Sequence, residues 1–163
     1  MNITEALQSI KTSEKVKKLL QDDTHFLSHA CLIEQKDKPS SWEFGFYNKA
    51  TSKITVFESA PFNERQEDEV LKKDEDSLKP LDLNDVKISL DSALIIAQEK
   101  LDEKNIKLIT KKIIILQADP NAIWNLTFMT QSFDLVNIKI NASSGAVEFF
   151  NSYSVFDLGL KQA

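Results

Sequence analysis

The sequence is short of the residues that most often announce a chemistry. It has one cysteine, Cys31, so no internal disulfide can form. It has three glycines, Gly45, Gly145 and Gly159, too scattered to build a phosphate-cradling loop. Lysine and arginine number 20 against 25 acidic residues, a net charge of −5, and no basic stripe is present to neutralise phosphates. Nucleic-acid binding is therefore disfavoured. No 18-residue apolar run offers a membrane span. The opening MNITEALQSIKTSEKVKKLL has the periodicity of an amphipathic helix and no apolar leader core. A cytoplasmic location is the expectation, or an extracytoplasmic one if a leader has been removed.

What is present is ordinary globular material, 42% hydrophobic and 28% charged over 163 residues. Most of the net charge comes from residues 63–82, where eight acidic residues stand against four basic ones. That stretch has few large apolar residues and is expected to be a solvated helix or flexible linker.

A shift of 82 residues aligns HACLIEQKDKPSSWEFGFY with KKIIILQADPNAIWNLTFM without a gap. Ile33, Gln35, Asp37, Trp42 and Phe46 then fall on Ile115, Gln117, Asp119, Trp124 and Phe128, so both tryptophans coincide. Each half opens with helical spacing. Ile3, Leu7 and Ile10, then Val16, Leu19 and Leu20, form the first stripe, broken at Thr12-Ser13 by a kink or a second N-cap. Leu90, Leu94, Ala97 and Leu101 form the second, with Ser89 as N-cap. Strands follow: Trp42, Phe44 and Phe46 alternate with polar or small neighbours, as Trp124, Leu126 and Phe128 do later. Asn141-Ala142-Ser143-Ser144-Gly145 marks a hairpin turn. The expected fold is α+β, two tandem copies of a helix packed on an antiparallel β-meander, with modules at 1–62 and 83–163 and an acidic linker at 63–82.

Few residues carry a candidate chemistry. His25, His29 and Cys31 project to one side of an extended strand, but span about 20 Å, too far for one metal. Asp37 and Asp119 recur as a pair of carboxylates suited in principle to acid–base work, yet both sit in turn sequences where Asp bonds its own backbone. No catalytic, metal or cofactor residue is therefore assigned, and the protein is expected not to be an enzyme. The informative surface is the sheet face opposite the tryptophans, where Tyr47, Phe57, Ile123 and Met129 are expected among polar neighbours. Such a face suits packing of the two halves, a second copy of the chain, or another polypeptide.

The stretch SLDSALIIAQEKL through IWNLTFMTQ to VNIKINASSGAVEFF resembles the PepSY family, and ITEALQSIKTSEKVKKLL through WEFGFY to KITVFE resembles it more distantly. The family's hairpin carries acidic positions that here are Asn141 and Ala146. The resemblance implies a cystatin-like helix cradled by an antiparallel sheet, and a part in inhibiting or regulating peptidases. Two functions compete: a non-enzymatic protein-binding or peptidase-regulatory module, and a small-ligand-binding or enzymatic cone-type domain with a pocket between helix and sheet. The apolar tryptophan stripes leave that pocket filled.

Overall fold

The computed structural model of the chain describes residues 2–69 and 78–156. Helix α1 (Ile3–Lys11) starts at a capping box. Asn2 accepts from the N–H of Glu5, and the Glu5 carboxylate accepts from the N–H of Asn2. Ser13 caps a second helix, α2 (Glu14–Leu20), by accepting from Lys15 N–H, which fixes the break at Thr12-Ser13. Strands β1 (His25–Gln35), β2 (Glu43–Asn48), β3 (Lys53–Ser59) and β4 (Phe62–Glu69) follow as a meander. A connector with one 3-10 turn, Leu83–Asp85, leads to α3 (Leu90–Glu103), capped by Ser89. A second meander follows, β5 (Ile109–Ala118), β6 (Ala122–Thr130), β7 (Asp134–Asn141) and β8 (Val147–Ser154).

The two expected tandem helix-on-meander units are not what these elements build. All eight strands join one antiparallel sheet in the order β4-β3-β2-β1-β5-β6-β7-β8. The sheet dominates the fold. The physical reason lies in β1 and β5, which carry apolar residues on both faces: Leu32 beside Ile33, and the run Ile113 to Leu116. Neither can serve as a solvated edge, so they pair with each other from His29↔Gln117 to Gln35↔Lys111. A single core results. It takes Leu7, Ile10 and Val16 from the first helices, Ala93, Ala97 and Leu101 from α3, and the inward row Phe44, Phe46, Leu116, Trp124, Leu126 and Ile138 from the sheet.

The acidic stretch also departs from expectation. Residues 63–69 lie in β4, whose backbone pairs with β3 from Phe62↔Ser59 to Glu69↔Lys53. Further on, Leu81 is buried in the shared core and its N–H donates to the Leu27 carbonyl at 2.8 Å. The expected solvated helix or linker at 70–77 falls outside the described residues. All three helices among the described residues supply their buried side chains to one face of the sheet. None is long and apolar enough to cross a membrane, which says nothing of a strand-built barrel.

Candidate functional site: the sheet face opposite the helices

Cross-strand partners share a face, so the registers say which side chains lie opposite the helices. From the β4 side these are Arg65, then Ile54 and Val56, then Glu43 and Tyr47, then Phe26, His29, Cys31 and Ile33. Across the centre come Ile113 and Ile115, then Ile123, Asn125, Thr127 and Met129, and beyond them Leu135, Asn137 and Lys139. No described element covers this face. Its centre is apolar: Ile33 is 43% exposed and faces Ile113 directly, and Cys31 faces Ile115.

The four residues expected on this face divide. Tyr47 and Ile123 lie on it but are buried by their neighbours; the Phe26 ring meets that of Tyr47 edge-on at 5.3 Å. Met129 lies there half-buried. Phe57 does not. Its partner is Phe44 and its ring meets Phe46 at 5.9 Å, so it belongs to the core on the helix face. Thr55, paired with Phe46, goes with it. Even-numbered residues of β2 face the same way as odd-numbered residues of β3, a shift set by the hairpin between them.

A β-bulge reorders the histidines. Between Leu27 and His29 the register slips, so Ser28 is the extra residue and the alternation of faces reverses. His25 pairs with Asn48 and turns to the helix face, whereas His29 and Cys31 stay on the opposite face. The expected grouping of all three on one side is corrected by that one residue. Ser28 Oγ donates to the Gly45 carbonyl at 3.1 Å and lies 3.0 Å from His29 Nδ1. Burial, then the nearby Arg65 guanidinium, hold the His29 pKa below its usual 6.5. The Cys31 thiol moves the other way. Burial, reinforced by the Glu43 carboxylate and opposed by Arg65, pushes it up to about 11. A thiolate nucleophile needs the reverse pair of shifts, so this Cys–His neighbourhood is built as packing.

Asp37 and Asp119 do not meet. They follow β1 and β5, which run antiparallel, so the two turns lie at opposite ends of the sheet. The stretch of β1 from His29 to Gln35 alone separates them by about 20 Å.

Polar groups flank the apolar centre. Arg65 Nη2 donates to Glu43 Oε2 at 2.7 Å on one side. On the other, Asn137 Nδ2 lies 2.6 Å from Asn125 Oδ1 and 3.2 Å from Thr127 Oγ1. Lys139 Nζ sits 5.2 Å from the centre of the Phe149 ring. Sequence reading missed the central row of Ile33, Ile113 and Ile115. Its signal was the run Ile113-Ile114-Ile115-Leu116, which makes both faces of one strand apolar.

No family model matches this sequence, and no curated protein matches it. In fold the chain is similar to the crystal structure of a "putative lipoprotein" from Clostridium difficile 630. The two superpose with a TM-score of 0.59 at 16% identity, over 94% of this chain and 93% of that one. At that identity the likeness is one of architecture.

Proposed function

We propose that this chain is a non-enzymatic binding protein that engages another polypeptide through the sheet face opposite its described helices. The observation that supports this reading is the central row of Ile33, Ile113 and Ile115, which no described element covers. A broad sheet surface suits a protein partner better than a small molecule, which favours a concave site. An apolar centre flanked by the Arg65–Glu43 pair and the Asn125–Thr127–Asn137 group has the layout of a protein interface.

The resemblance to PepSY modules makes a peptidase the first partner class to try. The description of the structural neighbour as a lipoprotein favours an extracytoplasmic setting for this chain as well.

The test compares the immobilised full chain with its Ile33→Glu variant. Ile33 is 43% exposed, so a carboxylate there spoils the apolar centre without entering the core. A partner retained by the wild type and lost with Ile33→Glu supports the reading. Equal retention by both overturns it. Light scattering at several concentrations identifies a second copy as the occupant if a dimer forms and Ile33→Glu abolishes it.

A further inference from the structure

On the opposite, helical side of the sheet, α1 and α3 both begin at one groove of about 740 Å³. Leu32 of β1 and the two tryptophans contribute to its lining. Caps satisfy part of each helix start. Glu5 N–H goes to the Asn2 side chain and Ala6 N–H to the Asn2 carbonyl; Ser92 N–H goes to the Ser89 hydroxyl and Ala93 N–H to its carbonyl. The N–H groups of Ile3, Thr4, Leu90 and Asp91 have no partner among the described residues, and all four residues line the groove.

The tryptophans supply an independent observation. Trp124 Nε1 donates to the Ile88 carbonyl at 2.8 Å. Trp42 is 3% exposed, yet its ring N–H has no acceptor among the described residues. No buried side-chain nitrogen or oxygen among them is both sealed from solvent and unpaired, so Trp42 Nε1 keeps an opening, and the space beside the Trp42 ring is this groove. A buried indole N–H normally finds an acceptor. Here no described residue supplies one, and a ligand seated in the groove can.

Charge narrows its identity. Lys87 stands against Glu34 and Asp91 around the groove, and two helix N-termini add roughly half a positive charge each. These contributions nearly cancel, so the groove suits a neutral ligand. The helix-start N–H groups and Trp42 Nε1 offer it donors, and its apolar lining adds Leu32 and Val86. We propose that the groove binds an uncharged, extended peptide segment whose carbonyls accept from Trp42 Nε1 and the helix starts, and whose branched side chain covers Leu32. This is separate from the sheet-face reading, because the groove lies on the other side of the sheet.

The test uses the full chain labelled with nitrogen-15, whose two tryptophans give two indole N–H signals, assigned with Trp42→Phe. The probe is N-acetyl-leucyl-leucinamide, raised to about 20 mM to cover weak binding. The Trp42 signal is expected to shift downfield and saturate, while the Trp124 signal stays in place. Thr4→Pro removes one donor at a helix position that tolerates proline, and is expected to weaken binding about tenfold. It also serves if Trp42→Phe fails to fold. An unmoved Trp42 signal, equal movement of both signals, or tighter binding of the free acid N-acetyl-leucyl-leucine overturns the proposal.

Discussion

The imidazole of His29 lies on Gly45, its partner across the β1–β2 pair, so closely that a Cβ on Gly45 would stand 2.6 Å from His29 Nδ1. The glycine is needed here for the space it leaves. Gly45→Ala is expected to cost about 1–3 kcal/mol through overpacking. His29→Ala should relieve that clash, so the double variant is expected to be more stable than the sum of the single changes allows. A double-mutant cycle by urea denaturation measures the coupling.

His29 also sets a pH dependence. Its folded pKa lies below the ordinary 6.5, because burial and Arg65 disfavour the charged ring. Below about pH 6.5 the unfolded chain takes up a proton that the folded chain refuses, so stability falls as pH drops through that range. Above it the contribution is fully present. Denaturation midpoints between pH 7.5 and pH 5 are expected to decline in the wild type and to decline less in His29→Gln.

Cys31 should be a poor nucleophile. With its thiol pushed up to about 11, on the order of one molecule in a thousand carries a thiolate at pH 8. Alkylation by iodoacetamide is expected to be about a hundredfold slower in the folded chain than in urea. Glu43→Gln removes the carboxylate that helps raise the pKa and should speed the folded reaction.

Leu81 tests whether the connector belongs to the core. It is 5% exposed, and its backbone is tied to Leu27. Leu81→Ala is expected to cost about 2–4 kcal/mol. Loss of less than about half a kcal/mol would fit a solvated segment, with no share in the core.

Trp124 holds the entry to α3 through its bond to the Ile88 carbonyl. Trp124→Phe keeps most of the apolar body and removes the donor. The expected loss is about 1–3 kcal/mol, mainly the cost of an unpaired carbonyl, read as a lower denaturation midpoint.

Much of the local structure could be read from residue order. The Asn2–Glu5 pair starts α1, Ser13 starts α2 and Ser89 starts α3, because short polar side chains accept from the first free N–H groups of a helix. The turn at Asn141 closes on itself, its side chain accepting from the N–H groups of Ser143 and Ser144. The candidate face was only half legible. Met129, Tyr47 and Ile123 are on it, but Phe57 is in the core, and Ile33 and Ile113 form the centre instead.

The sequence by itself determined what depends on neighbours a few residues apart: caps, helical stripes, the alternation within each strand, and the absence of charge on the Trp42–Phe46 and Trp124–Phe128 rows. Only the tertiary structure decided which faces meet. Alternation orders the faces within one strand and says nothing of its parity relative to the next. The β2–β3 register alone turned Phe57 inward, and one bulged residue, Ser28, parted His25 from His29. In the same way, two strands apolar on both sides had to find each other. The pairing of Ile33 with Ile113 therefore made one sheet where the repeat suggested two.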